Sequence, residues 1–128
     1  MNSVLDNVTI LNEEPLIILF KEFKETTIDF VNSSFDEIEK AADERHFNLI
    51  CDLSEANPPK AEIRHELKNR FARIDNQLNS VNLFIGNNVL IKIAAQFVFT
   101  VLIKTKSTTI HKSIDAAVAD IKKKNDPR

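Results

Sequence analysis

Cysteine and glycine are almost absent from this chain. Among its 128 residues there is one cysteine, Cys51, and one glycine, Gly86. A single cysteine excludes an intramolecular disulfide, and its position inside an apolar run predicts a buried, inert thiol. Such a chain fits a reducing cytoplasm. A single glycine is far short of a phosphate-binding loop, which needs several glycines followed by Lys-Ser/Thr.

Tryptophan and tyrosine are missing altogether, which removes two common ligand-stacking side chains. A strong excess of one charge is missing as well, because the formal net charge is −2 and the pI is about 5.9. We therefore expect neither nucleic acid nor an anionic membrane surface as a general partner.

Long apolar segments are also missing. The N-terminus has no basic stretch followed by an apolar one, so no secretory signal is predicted. The most apolar stretch runs from Val89 to Ile103 and contains Lys92, Gln96 and Thr100. It is shorter than the roughly 20 apolar residues that a membrane-spanning helix needs. The sequence therefore predicts no integral membrane span.

Residues for catalysis or metal binding are present without the spacing that either chemistry needs. Glu62 and His65 share a helical face, but the carboxylate-bridged metal sites that use this spacing need a second copy of it. His46 and His111 lie in unrelated segments, and there is no Gly-x-Ser-x-Gly elbow. We expect neither an enzyme nor a bound cofactor or metal.

What the chain does have is an ordinary globular composition, with 43% hydrophobic and 28% charged residues. We expect one domain over residues 1–124 and a frayed tail over residues 125–128. Apolar periodicity predicts strands near residues 8–11, 16–20, 47–53, 81–85 and 108–111. It predicts helices near residues 34–45, 57–79, 89–103 and 113–124.

Side-chain caps are predicted at the starts of three of these helices. Ser34 and Glu37 have the spacing of a capping box, Asn57 precedes two prolines, and Ser113 precedes the last helix. Strands that alternate with helices imply right-handed crossovers and parallel pairing. The expected α/β fold is a mixed, mostly parallel sheet of about five strands, with an N-terminal antiparallel hairpin and four helices.

Three segments carry a family resemblance. Asn48-Leu-Ile-Cys-Asp-Leu-Ser54 precedes a loop and an amphipathic helix, Val81-Asn-Leu-Phe-Ile-Gly86 precedes an apolar helix, and Ser113-Ile-Asp-Ala-Ala-Val118 starts a closing helix rich in small residues. In element order, most of the chain resembles the STAS domains of bacterial anti-sigma-factor antagonists. The resemblance implies a STAS-like fold and a regulatory role exerted through protein–protein contact.

The phosphorylation motif of those antagonists is not matched. They carry an Asp-Ser-Ser-Gly type motif at the start of a helix, and phosphorylation of its serine switches partner binding. Here the place is occupied by Asn57-Pro-Pro-Lys-Ala-Glu62, and the serine position falls near Ala61. We therefore expect no phosphoswitch of that kind.

Polar residues cluster where the central strands are predicted to end. They are Asp52 with Ser54, Asn57 with Lys60 and Arg64, and Gly86 with Asn87 and Asn88. The carboxyl ends of strands are the usual location of sites in α/β sheets, so these residues predict a small polar rim. The alternative is that Asn57 and Asn88 only cap helices and that Asp52 only accepts a hydrogen bond at a strand end.

The predicted helix from Val89 to Ile103 is more apolar than one sheet contact requires. Its polar ridge contains Lys92, Gln96 and Thr100, which leaves an apolar arc of about 200° where about 100° is enough. We expect the surplus, which includes Ile91, Ala95, Phe99 and Leu102, to contact a second surface. Two alternatives stay open: burial by neighbouring helices of the same chain, or a helix that ends near Thr100 because residues 97–103 favour strand.

The leading hypothesis is a non-enzymatic regulatory or protein-interaction module. It would act through the apolar helix and the adjacent helix start at Asn57 to Arg64, with a protein partner or as a homodimer. The alternative is a domain that binds lipid or a small apolar ligand, because an over-apolar helix can line a pocket or meet a bilayer.

Overall fold

A computed structural model describes residues 7–23, 26–89, 91 and 108–125 of the chain. The strands are β1 (Val8–Glu13), β2 (Leu16–Lys21), β3 (Phe47–Asp52), β4 (Leu78–Phe84) and β5 (Thr108–His111). The helices in this described part are α1 (Ile28–Ala42), α2 (Ala61–Ile74) and α3 (Ile114–Lys124). The helix predicted from Val89 to Ile103 lies outside the described residues, apart from Val89 and Ile91.

The five strands form one sheet in sequence order, β1-β2-β3-β4-β5. β1 pairs antiparallel with β2, and every other pair is parallel, with Ile18 beside Leu49, Leu49 beside Val81, and Val81 beside Thr108. The predicted α/β class, the mixed five-stranded sheet and the N-terminal hairpin are therefore confirmed.

Helices cover both faces of the sheet. On one face, inward side chains of β2, β3 and β4 join α1 and α2 in the larger core: Leu16, Ile18, Phe20, Leu49, Cys51, Val81 and Leu83. On the other face, Ile17 and Ile50 pack against Ala117 and Ile121 of α3. All six residues of β3 are buried in consequence, as expected for a strand covered on both sides.

The start of α1 differs from the prediction. The helix begins at Ile28, and the hydroxyl of Thr27 caps it by accepting a hydrogen bond from the Phe30 amide at 3.0 Å. Ser34, the predicted cap, is buried inside the helix and its Oγ accepts from Asn7 Nδ2 at 3.0 Å. The capping-box spacing was misleading because Ser34 and Glu37 lie in the second and third turns of a helix that has already begun.

Both ends of α2 also differ from the prediction. Asn57 is not the cap, because α2 begins at Ala61 and Lys60 precedes it without a side-chain cap. Residues that precede proline avoid helical backbone angles, so Pro58 and Pro59 delay the helix start. At the other end, Leu78 continues the apolar spacing of the helix but lies in β4 beside Phe47. A buried leucine satisfies either pattern, so spacing alone did not separate helix from strand.

The last strand and helix agree with the prediction. β5 covers Thr108–His111, and Ser113 caps α3 by accepting from the Ala116 amide at 3.0 Å. Three lysines occupy the last turn of α3, where the helix dipole favours cations.

A buried arginine joins α1 to α2. The guanidinium of Arg70 donates to Asn32 Oδ1 at 2.8 Å, Asp36 Oδ1 at 2.7 Å and Glu39 Oε2 at 3.0 Å. It also lies over the ring of Phe35, 5.7 Å from the centroid. The Arg70 side chain is 5% exposed, whereas those of Asp36 and Glu39 are 67% and 27% exposed. The cation therefore depends on these acceptors more than the carboxylates depend on the cation.

This asymmetry makes a prediction for stability. The double substitution Asp36→Asn and Glu39→Gln should lower the free energy of unfolding by about 2 kcal/mol, because the Arg70 charge stays buried without a counter-charge. Arg70→Met should cost less, because the partly exposed carboxylates regain water. Urea denaturation measures both, and Arg73→Met, at a side chain that is 61% exposed, is the control. A larger loss in Arg70→Met than in the double variant would contradict the prediction.

Candidate functional site

The carboxyl ends of β2, β3 and β4 meet at one edge of the sheet, as parallel pairing requires. Hydrogen bonds continue past the strands there, from the Glu22 amide to the Asp52 carbonyl at 3.0 Å and from the Leu53 amide to the Phe84 carbonyl at 2.8 Å. An ion pair between Lys21 and Glu55 at 2.8 Å links the end of β2 to the loop after β3. Most of the predicted polar residues lie on the loops that leave this edge, whereas Asp52 is the last residue of β3 and Arg64 belongs to α2.

Asn88 fastens two of these loops together. Its Nδ2 lies 2.8 Å from the Ala56 carbonyl, 3.2 Å from that of Leu53 and 3.4 Å from that of Ser54. Its Oδ1 accepts from the Ile91 amide at 3.2 Å. One amide side chain therefore binds the β3–α2 loop and also caps the segment that follows β4.

The turn before Asn88 depends on the single glycine. Gly86 has φ of +63°, a left-handed conformation that disfavours residues with a side chain. The turn covers Gly86 and Asn87. Asn87 is exposed at its tip.

Asp52 accepts hydrogen bonds at the end of β3, in agreement with the alternative interpretation of this residue. Its Oδ1 accepts from the Ser54 amide at 3.0 Å and from Ser54 Oγ at 2.7 Å. These bonds turn the chain away from β3 and use the carboxylate locally.

The predicted cations and Asn57 are exposed. Arg64, one turn into α2, donates to the Pro59 carbonyl at 2.8 Å and so fastens the loop to the helix. Lys60 lies at the helix start, between Asn57 and Arg64 in the sequence. Asn57, Lys60 and Arg64 are therefore accessible, and Lys60 and Arg64 have the i,i+4 spacing of one helical face.

The predicted apolar positions are only partly described. Ile91 is 3% exposed and belongs to the core of its own chain, whereas Val89 is 66% exposed. Ala95, Phe99 and Leu102 lie outside the described residues.

A line of polar side chains inside the sheet escaped prediction. Ser80 Oγ donates to Asn48 Oδ1 at 2.7 Å, Asn82 Nδ2 donates to Ser80 Oγ at 3.0 Å, and His111 Nε2 lies 2.9 Å from Asn82 Oδ1. Asn48 Nδ2 donates in turn to the Leu16 carbonyl at 3.2 Å. These side chains share the α3 face and connect β2 to β5. Their signal in the sequence was polar residues at alternate positions of otherwise apolar strands.

The two asparagines determine which groups donate and which accept along this line of hydrogen bonds. Asn48 and Asn82 each place Nδ2 against a backbone carbonyl, that of Leu16 and of Leu49, and a carbonyl only accepts. Asn82 Oδ1 is then an acceptor, so His111 must donate from Nε2. Neutral His111 is therefore the Nε2–H tautomer. Burial lowers its pKa, Asp120 opposes this effect and Lys124 adds to it.

Within the part of the chain that the structure describes, no three His, Cys, Asp or Glu side chains are grouped to hold a metal ion. Arg45 and residues of the β1–β2 hairpin line two surface grooves of about 510 and 460 Å³. They lie away from the carboxyl-end loops. Cys51 is buried as predicted, and burial raises the pKa of its thiol.

Comparison with family models, curated proteins and solved structures found no match. What the site can do therefore follows from its own geometry.

None of the helices in residues 7–23, 26–89 and 108–125 has the length and apolar character to cross a membrane.

Asn88→Ala tests the fastening of the loops. It should lower the free energy of unfolding by about 2 kcal/mol, because three carbonyls lose a donor and the Ile91 amide loses its cap. Asn87→Ala, at the exposed neighbouring amide, should change it by less than about 0.5 kcal/mol. Denaturant unfolding compares the two, and equal effects would show that Asn88 is not the fastening residue.

His111 should give stability a pH dependence. Because folding lowers its pKa, the neutral form is favoured, so the contribution of His111 to stability is complete above the ordinary value near 6.5 and is lost as pH falls below it through the folded value. Relative to His111→Gln, the wild type should therefore lose stability as pH falls, and His46→Gln, at an exposed position, should show the same loss relative to His111→Gln. NMR should find the His111 ring titrating below pH 6.5 as the Nε2–H tautomer, and a midpoint above that value would contradict the prediction.

Proposed function

We propose that this chain is a non-enzymatic, STAS-like protein-interaction module of the cytoplasm. It binds protein through the surface of Asn57, Lys60, Arg64 and Asn87, which we name the loop surface. The observation that carries the proposal is the Asn88 side chain, which holds the loops of this surface in one arrangement.

The asparagines of the loop surface, Asn57 and Asn87, are next in sequence to the residues that Asn88 holds together. Asn57 follows Ala56, whose carbonyl lies 2.8 Å from Asn88 Nδ2, and Asn87 directly precedes Asn88. Loops that are ordered before binding lose less conformational entropy when a partner docks. Exposed polar groups on a rigid backbone are therefore suited to recognition.

The two cations extend the loop surface along α2. Lys60 and Arg64 are exposed, and Arg64 is held to Pro59. Charges at the rim of an interface set specificity and the rate of association. The positive rim favours a partner that presents carboxylates there, and a second copy is a suitable first partner because the chain has more acidic than basic residues.

An exposed apolar side chain lies beside the loop surface in the sequence. Val89 is the most exposed large apolar side chain among those described, at 66%, and it directly follows Asn88. It begins the apolar sequence that continues to Ile103. Protein interfaces combine an apolar centre with a polar rim, so the two neighbouring surfaces fit one interface.

The STAS resemblance supports the regulatory interpretation, without the serine phosphoswitch of the antagonists. Ala61, near which that serine would align, is the first residue of α2 and has no hydroxyl. Phosphorylation at this position therefore does not control partner binding in the proposed module. The alternative, binding of lipid or a small apolar ligand, depends on the apolar stretch from Val89 to Ile103 and is an outcome of the same experiment.

Charge reversal tests the loop surface. Sedimentation over a wide concentration range should show self-association of the wild-type chain, weakened about tenfold in Lys60→Glu/Arg64→Glu because the cationic rim is lost. Phe99→Glu should weaken it further through the apolar part. Lys68→Glu, an exposed charge change elsewhere on α2, is the matched control.

A wild-type monomer at every concentration would overturn self-association. The proposal then requires a different protein that crosslinks to the wild type and to Lys68→Glu in cells but not to the double variant. Failure of both measurements rejects it. Co-purified fatty acid, or liposome binding that ignores Lys60 and Arg64, would favour the alternative.

A further inference from the structure

β1 is the outer strand of the sheet in the described part of the chain, so one of its two sides has no neighbouring strand there. Edge strands of soluble proteins commonly carry lysine or proline, which oppose pairing with another chain. β1 has the sequence Val-Thr-Ile-Leu-Asn-Glu and contains neither. Ile10 and Leu11 are each 37% exposed. This edge of the sheet is therefore suited to pairing with another strand.

Hydrogen bonding to β2 determines which backbone groups of β1 point outward. The Lys21 amide donates to the Asn7 carbonyl at 2.8 Å, and bonded and non-bonded pairs alternate from there along antiparallel strands. Thr9 therefore directs its backbone amide and carbonyl to β2, whereas Val8 and Ile10 direct theirs to the open side. The irregularity in the pairing comes after Ile10, so these outward groups belong to a regular stretch of strand.

The same two residues line a groove beside the open side of β1. The groove has a volume of about 460 Å³ and lies between Val8 and Ile10 on one side and Ala41, in the last turn of α1, on the other. A strand that bonds to the outward groups of β1 places every second side chain over this groove. Apolar side chains at those positions would bury the exposed part of Ile10.

The charges around the groove favour a second copy of this chain as the source of that strand. They alternate in sign along the sequence: Glu37, Lys40, Asp43 and Arg45. Arg45 also pairs with Glu13 of its own chain at 3.2 Å, and both side chains stay exposed. A two-fold axis reverses the order of the charges in the second copy, so opposite signs face each other across the axis. The β1 strand of that copy brings the alternate apolar residues that the groove accepts.

We propose that two copies of this chain pair their β1 strands antiparallel about a two-fold axis at Thr9. In this register Val8 of each copy lies opposite Ile10 of the other, and the outward amide and carbonyl of both residues find partners. The two sheets then form one continuous sheet. This interface is separate from the loop surface, which involves α2 and the turn after β4.

Cysteine cross-linking tests the register. The two Thr9 Cα atoms would be about 4.5 Å apart, a distance that a disulfide spans. Under mild oxidation, Thr9→Cys should form a covalent dimer at least about tenfold faster than Leu11→Cys, whose two Cα atoms would be about 13 Å apart along the strands. Thr9 and Leu11 are both exposed, and Cys51 is buried and does not compete.

Both cysteine variants carry Lys60→Glu/Arg64→Glu, so that association through the loop surface does not contribute. Failure of the loop surface therefore leaves this result unchanged, and failure of the β1 pairing leaves the effect of the charge reversal unchanged.

Sedimentation in the same charge-reversed background tests the groove. Ile10→Lys should weaken the remaining dimer by about tenfold, because it places a charge against the apolar side chains of the other copy. Ile110→Lys is the matched control, since Ile110 is 40% exposed and lies in β5 at the opposite edge of the sheet. It should leave the dimer as it is.

Three results would overturn the β1 pairing: no cross-link in Thr9→Cys, equal rates in Thr9→Cys and Leu11→Cys, or equal dimerisation of Ile10→Lys and Ile110→Lys. Urea denaturation establishes that each variant is folded. If Ile10→Lys is not, the comparison of the two cysteine variants, both at exposed positions, still decides.

Discussion

The structure depends on β3 being buried along its whole length. Its apolar residues alternate between two cores, with Leu49 facing α1 and α2 and Ile50 facing α3. A strand in this position needs a hydrogen-bonded neighbour on each side and a helix on each face. The strand order, the two helical layers and the position of the carboxyl-end loops all follow from this requirement.

Burial on both faces also determines how polar side chains inside the protein are satisfied. Asn48 lies in β3 and is 2% exposed, so its amide must find partners within the sheet, and it does so through Leu16 and Ser80. Arg70 meets the same requirement between α1 and α2. Partners supplied by separate elements make these bonds specific to the correct assembly, since a wrong register leaves a buried group unpaired.

The carboxyl-end edge combines loops that are held together with a buried carboxyl group. Asn88 holds the loops that present Asn57 and Asn87, while Glu22, at the end of β2, is 6% exposed and its backbone amide donates to the Asp52 carbonyl. The two features use different elements, because the loop surface involves α2 and the turn after β4, whereas Glu22 follows β2.

Local pattern was sufficient for the α/β class, the hairpin, the parallel strands, the Ser113 cap and the grouping of polar loops at one edge, because each depends on alternation, helical spacing or turn chemistry within a short segment. It failed at Ser34 and Leu78, where a local signal agreed with two structures and burial decided between them, and at Asn57, where the two following prolines delay the start of α2.

The interaction assigned to Ala95, Phe99 and Leu102 remains a prediction. The partners of Arg70, the polar line from Asn48 to His111 and the burial of Glu22 depend on residues tens of positions apart in the sequence. The sequence by itself determined which of the described elements form and in what order, whereas only the tertiary structure decided which polar groups are enclosed and paired. Desolvation depends on what packs around a side chain and not on its neighbours along the chain.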